Sequence, residues 1–357
     1  MNAFLLAGFL AVLPGSAAGK GPGQPGREAQ QTLGAAIALY DKAEFEAALS
    51  RFNKALALFD GWKTALGYRA FCRWNMGDRQ GAGQDALIAA QLKPNNAASF
   101  TSRGLARFVV KDYQAAEVDF SQALKLDPDQ AEAHFGMGSV ASAQGELDRA
   151  LQNLDQAVRI NNDFAAAFLV RGTVQEKRKD FKAAIRDFDR VLEINPRFVW
   201  ARFYRGKCHR EVKDYREALV DFDEFIAEHP NSVEAVYLRS NVRFLAGDYA
   251  GAESDLGVVI SLDPQRGLAY SNRGQARAQL GDRPGALADL KRALELLPDK
   301  RAKIQVAIDR LEGAAQAGNA TPEDGPHGMS QDVAPEGDSG KNPGQRIAAP
   351  EEALLIE

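Results

Sequence analysis

The chain has 357 residues, 45% of them apolar and 26% charged, which suits a soluble protein with room for two or three compact domains. A formal net charge of −4 argues against a dedicated binder of phosphate backbones. Two cysteines and four scattered histidines exclude a disulfide framework and make a structural zinc site improbable.

Residues 1–19 read MNAFLLAGFLAVLPGSAAG. An apolar run from Ala3 to Leu13 meets Pro14-Gly15 and then the small residues Ser16-Ala17-Ala18, the pattern of a cleaved secretory signal peptide. The run is short for a bilayer span, which needs roughly 20 residues, so no membrane span is expected in the mature chain. No Lys or Arg precedes the run, so the α-amine supplies the only positive charge there. A Gly/Pro linker over residues 20–28 follows. The expected location is extracytoplasmic: secreted, periplasmic or lumenal.

From residue 29 a unit of 34 residues recurs eight times. Alanine stands at 48, 82, 116, 150, 184, 218, 252 and 286, and proline at 94, 128, 196, 230, 264 and 298. A fixed period of this length marks a stacked-repeat architecture. The copies begin at 29, 63, 97, 131, 165, 199, 233 and 267. Each reads as two antiparallel helices. In residues 165–198 the first helix is expected to end near Lys179, and Asp180 to cap the second. Gly77, Gly145, Gly247 and Gly281 occupy the turn between helices, where a left-handed residue closes a helix most cheaply. Small residues at positions 8 and 20 are placed to let the two helices cross closely.

The unit resembles the tetratricopeptide repeat: small residues at 8, 20 and 27, a bulky residue at 4, aromatics near 17 and 24, and proline at 32. Position 24 is Phe52, Phe120, Phe188 or Phe222, and position 17 is Phe45, Tyr113, Phe181, Tyr215 or Tyr249. The resemblance covers residues 29–300 and implies an all-α, right-handed superhelical solenoid of antiparallel helix pairs. Residues 301–313 are expected to form a solvating helix that covers the last hairpin. Neighbouring hairpins should bury one another's apolar faces in one continuous interior and leave a ligand trough. The pentatricopeptide class, which reads RNA, is disfavoured by the nearly neutral body, and no nucleic-acid partner is expected.

Position 7 is arginine in six copies, at Arg69, Arg103, Arg171, Arg205, Arg239 and Arg273. Sixteen residues later stand Asp85, Asp119, Asp187, Asp221, Asp255 and Asp289. The remaining copies lose both members together, with Met137 beside Asn153 and Ala35 beside Arg51. This co-occurrence points to a structural ion pair between the two helices, because buried charges are normally paired. The competing reading is an arginine stripe for anionic ligands.

No catalytic, cofactor or metal-binding constellation is apparent. Cys72 and Cys208 occupy the same repeat position, 136 residues apart, and read as small core residues. The resemblance assigns positions 2, 5, 9, 12 and 13 to a concave face. There, copies five to eight present Leu169, Thr173, Lys177, Trp200, Phe203, Lys207, Arg210, Tyr237, Asn241, Phe244, Ser271 and Gln275. Within this set Trp200, Phe203, Lys207, Arg210, Tyr237, Asn241, Phe244 and Gln275 are the expected contacts for a protein or extended peptide. The competing reading is that several of these aromatics pack between repeats. The Lys/Asn clamp of chaperone-binding relatives is absent from position 5, which carries no lysine. The expected role is a non-catalytic scaffold. Its alternatives are a lumenal co-chaperone, like the repeat part of an endoplasmic-reticulum J-domain protein, and a structural member of an envelope or secretion complex.

Residues 314–357 lose all apolar periodicity and hold 8 acidic and 2 basic residues, which leaves 42 basic and 40 acidic residues in the rest. Such an acidic tail is expected to be disordered. It carries a glycosylation sequon at Asn319-Ala320-Thr321.

Overall fold

The computed structural model describes residues 25–318, with side chains described to 313. The proposed signal segment, most of the linker and nearly all of the acidic tail lie outside the described residues. Within them the chain is all helix, with no strand.

The hairpins are α1 (Arg27–Asp41) with α2 (Phe45–Leu58), α3 (Lys63–Asn75) with α4 (Arg79–Ala89), and α5 (Ala97–Val109) with α6 (Tyr113–Leu126). They continue with α7 (Ala131–Gln144) and α8 (Leu147–Ile160), then α9 (Ala165–Lys177) and α10 (Phe181–Ile194). Next come α11 (Val199–Glu211) with α12 (Tyr215–Glu228), and α13 (Val233–Leu245) with α14 (Tyr249–Leu262). The last pair is α15 (Gly267–Leu280) and α16 (Arg283–Leu296). A final helix, α17 (Arg301–Gly318), packs on α16 and runs beyond the expected end at 313. Likewise α1 begins at Arg27, inside the span expected to be linker, and α9 stops at Lys177 rather than near Lys179.

Local chemistry explains these boundaries. Asp180 accepts a hydrogen bond from the Ala183 amide, and Asp78, Asp112, Asp248 and Asp282 cap their helices in the same way. Gly77, Gly145, Gly247 and Gly281 take the expected left-handed conformation. Where the repeat has no glycine there, Ala43, Lys111, Lys179 and Lys213 adopt it instead, which the turn geometry must impose.

The small residue at position 8 has a visible cause. A Cβ added at Gly104 or Gly172 would sit 2.7 Å from the Phe120 or Phe188 ring. One added at Gly138 would sit 2.6 Å from Leu154. The opposing group is thus chiefly the position-24 side chain of the same hairpin. Position 20 enters mainly through its carbonyl, 3.0 Å from the corresponding point at Gly274 for Ala286.

Odd-numbered helices touch the odd-numbered helices of adjacent repeats, whereas even-numbered helices make no comparable contact. The first helices therefore line the inner side of the array. Their approach is tightest between α3 and α5, where the Ser102 hydroxyl donates to the Thr64 carbonyl at 2.7 Å. At Gly67 any side chain would strike Ser102.

One apolar core runs unbroken from Leu33 to Ala201. From the fifth hairpin on, smaller separate clusters form around Phe188 and Cys208, Phe222 and Val242, and Leu256 and Val259. The expected single interior is thus one unbroken cluster over most of the first five hairpins and a series of smaller clusters from the fifth hairpin on. Half-buried Leu169 borders both the long core and the Phe188 cluster, and Ile226 borders both the Phe222 and the Leu256 clusters.

Gly172→Ala should lower stability by ~1–3 kcal/mol, because the Phe188 ring cannot move without strain. Gly83→Ala, a helical position with nothing within 4 Å, should instead raise it by about 1 kcal/mol. Thermal unfolding of the two variants checks the contrast, and equal losses would contradict it.

Candidate functional site

All six arginine–aspartate pairs form across their hairpins, each bidentate. Nε and Nη2 of Arg205 donate to the two carboxylate oxygens of Asp221 at 2.9 and 2.6 Å. Arg69–Asp85, Arg103–Asp119, Arg171–Asp187, Arg239–Asp255 and Arg273–Asp289 repeat that geometry. The carboxylates are buried, Asp119 completely, while the guanidiniums keep an edge in solvent.

Two further partners escaped the sequence reading. The remaining Nη1 reaches back to the preceding repeat: Arg171 to Asp155, Arg205 to Asp189, Arg239 to Asp223, and Arg69 to Asn53. The recurrence of Asp155, Asp189 and Asp223 at one repeat position was the available signal. A second arginine one turn on shares the same carboxylate in four copies: Arg73 on Asp85, Arg107 on Asp119, Arg243 on Asp255 and Arg277 on Asp289.

Burial pushes the Asp187 and Asp221 carboxyls up, and hydrogen bonds from Arg171 and Arg205 oppose it. Hydrogen bonding to Asp255 and Asp289 holds the Arg239 and Arg273 guanidiniums above their ordinary value. These arginines are engaged within the fold, which speaks against a stripe offered to anionic ligands.

The inner face of α9, α11, α13 and α15 presents the candidate contacts unevenly. Trp200 is exposed at 43% and rests edge-on against Phe225 and Phe203, with ring centroids 5.0 and 5.8 Å away. His229 lies 5.8 Å from the indole and also lines a cleft of ≈ 130 Å³ with Glu228, Pro230, Asn231 and Ser232. Lys207 pairs with Glu176 of the preceding first helix at 2.6 Å, and Arg210 with the adjacent Glu211. Lys177 is exposed, and Leu169, Thr173 and Gln275 are half-buried.

Tyr237, Asn241 and Phe244 depart from expectation: they are buried and do not join Trp200 and Phe203 in one exposed patch. The Arg266 guanidinium lies 4.2 Å over the Tyr237 ring, and Phe244 packs on Tyr249 at 5.2 Å. The Asn272 amide donates to the Tyr237 hydroxyl at 2.9 Å and to Asn241 at 3.2 Å. Asn272, which sequence reasoning missed, thus binds α13 to α15, and Ser271 beside it is fully buried.

Family models of the tetratricopeptide repeat match residues 110–171 and 205–267. The chain is a tetratricopeptide-repeat protein. Among solved structures, it resembles the Cut9–Hcn1 hetero-tetramer of the APC/C with a TM-score of 0.58 and 15% identity, over 78% of this chain and 55% of that one. PilW, a type IV pilus biogenesis factor, aligns with a TM-score of 0.50 and 18% identity, over 58% of this chain and 98% of that one. YrrB, described as a tetratricopeptide-repeat protein with an unusual peptide-binding site, gives 0.48 and 22% over 56% and 97%. No curated protein matches the chain. At these identities the structural likeness establishes the solenoid fold.

Among the described residues of this tetratricopeptide-repeat protein, no group of three His, Cys, Asp or Glu side chains is arranged to hold a metal ion. No described helix is long and apolar enough to cross a membrane. Burial pushes both the Cys72 and Cys208 thiols up to about 12, so each is an inert core residue.

Asp221→Ala should destabilise by ~3–5 kcal/mol, since it strands the inner edge of the Arg205 guanidinium, while Asp221→Ala with Arg205→Met should cost far less. Equal losses in denaturant unfolding would mean that the pair has no mutual interaction. Native protein should also leave both cysteines unmodified by a thiol reagent that labels them fully after unfolding.

Proposed function

We propose that this tetratricopeptide-repeat protein is a non-catalytic scaffold that captures an extended protein segment along α11 and its neighbours. The observation that carries this reading is Trp200. Of the exposed large apolar side chains among the described residues it alone is aromatic. The buried Phe225 ring and the half-buried Phe203 ring hold it from behind, so little conformational freedom is lost when a partner covers it. Phe203 supplies a half-buried floor. The Lys207 ammonium, Lys177 and Gln275 offer donors to peptide carbonyls or acidic side chains. The sequence of residues 1–19 supports an extracytoplasmic setting.

Binding of purified protein to an array of short peptides tests the groove. Trp200→Ala should weaken captured peptides by roughly 30-fold or more, the scale of a central aromatic anchor worth about 2 kcal/mol, without lowering the unfolding temperature. Phe203→Ala should weaken them less. Unchanged binding in Trp200→Ala would exclude this face. Cell fractionation with N-terminal sequencing of the exported chain tests the compartment, and an unprocessed cytoplasmic chain would exclude it.

A further inference from the structure

In a stacked array each repeat normally contacts only its neighbours. The first hairpin breaks that rule. Its turn, from Tyr40 to Phe45, lies against the junctions that follow α8 and α10, more than 110 residues away. The Asn161 side-chain amide donates to Asp41 Oδ2 at 3.2 Å, and the Asn195 amide donates to the Ala43 carbonyl at 3.2 Å. The Phe45 ring meets Phe198 edge-on at 5.8 Å. Tyr40 meets Phe164 and Phe135 at 6.5 Å and Phe71 at 5.9 Å. Tyr40, Ala43 and Phe164 are all buried.

The repeat sequence is specialised at the places that touch. Asn161 and Asn195 occupy position 31, where the copies beginning at 97 and 233 carry Asp127 and Asp263. All four side chains accept the local amide two residues on, so aspartate would serve that turn equally well. Only asparagine adds a donor, and it stands in the two copies that face the first hairpin. The same two copies place phenylalanine at position 34, whereas copies two, three, six, seven and eight have Asn96, Gln130, Ser232, Arg266 and Lys300. At position 15 the first copy alone has alanine, while every other copy has glycine or lysine. A lysine there would be forced into the contact.

We propose that the first hairpin is a latch that closes the first five repeats on themselves, and that ionisation of Asp41 releases it to uncover the aromatic interior around Tyr40, Phe71 and Phe135. Asp41 is suited to that role. Its Oδ2 has one donor, and its buried Oδ1 has no hydrogen-bond partner. The titratable groups that face it are Glu132 on α7, Tyr68 on α3 and Tyr40 beside it, with no cation among them. Burial and then the Glu132 charge push Asp41 up to about 8, and burial raises Glu132 as well. The docked value exceeds that of a free aspartate, so protonation favours docking. The stabilisation is complete below the free value of about 4 and is lost as pH rises through about 8. The proposal does not depend on the peptide-binding reading of α11.

Spin labels at the exposed residues Ala47 and Glu193, introduced as cysteines into the full chain, report the closure by electron–electron distance measurement. Buried Cys72 and Cys208 stay unlabelled. The wild type should give one short distance at about pH 5 and a longer, broader distribution at about pH 9. Asp41→Asn should stay short at both. Asn161→Asp with Asn195→Asp should be long at both, because it removes both donors yet keeps the local turns. A distance that is the same at both pH values in the wild type, or a double variant that remains short, would overturn the latch. If the double variant loses helical circular dichroism, Asp41→Asn decides alone: alkaline opening equal to that of the wild type overturns the proposal.

Discussion

A ring can fill the centre of each hairpin only because the opposite helix lacks a side chain there. Phe120, Phe188 and Phe222 occupy space that a Cβ at Gly104, Gly172 or Gly206 would contest. That exclusion sets how closely the two helices of a hairpin approach, and with it where every other inward residue falls. Alanine at position 20, fully buried throughout, then suffices as a spacer. A hairpin so built has an apolar flank that it cannot cover by itself, and stacking follows. The same principle acts a second time between repeats. Gly67 and Ser102 bring α3 and α5 into direct contact. Close inner edges tighten the curvature of the early repeats, and tight curvature carries the first hairpin round to the junctions after α8 and α10.

The arginine at position 7 joins three helices rather than two. Its Nε–Nη2 edge is matched to the carboxylate of its own hairpin, and in four copies its Nη1 corner reaches the last helix of the repeat before. Desolvating such charges offsets much of their attraction, so the ladder adds little net stability. It adds geometry. A hairpin that slipped by one helical turn would leave a buried Asp221 or Asp187 without its fork, and that penalty disfavours misregistered stacking. Arg103 shows the arrangement adapting. With Leu87 in place of the acid, its Nη1 takes the Leu92 carbonyl at 3.0 Å instead.

The repeat, its helix boundaries and the arginine–aspartate pairing were legible because each recurs with one period, and recurrence within a single chain is itself evidence of a shared environment. The inner face was less legible. Tyr237 and Phe244 share their repeat positions with residues that line a trough elsewhere in the family, yet Arg266 covers one and Tyr249 supports the other. Whether an aromatic at such a position is floor or filling depends on the neighbouring loop, which a position-by-position reading ignores. Asn272 was missed for the same reason: it matters through Tyr237 and Asn241, on another helix. The continuous interior holds over most of the first five hairpins, where Thr101 and Ser102 are buried without interrupting it, and gives way to smaller clusters from the fifth hairpin on.

The contact of the first hairpin with distant junctions was invisible for a different reason. A period records what every copy shares, and long-range closure is made by what the copies do not share. Asn161 and Asn195, Phe164 and Phe198, and Ala43 look like tolerated variation when the copies are stacked as sequences. Placed in space they fall on one surface and complement each other: two donors face an acid and a carbonyl, and two rings face Tyr40 and Phe45. Independent drift at five turn and junction positions has no reason to produce that match. In a repeat protein, then, the departures from the repeat are where contacts beyond the nearest neighbour are written, and Trp200, the one aromatic of its position in copies five to eight, belongs to the same category.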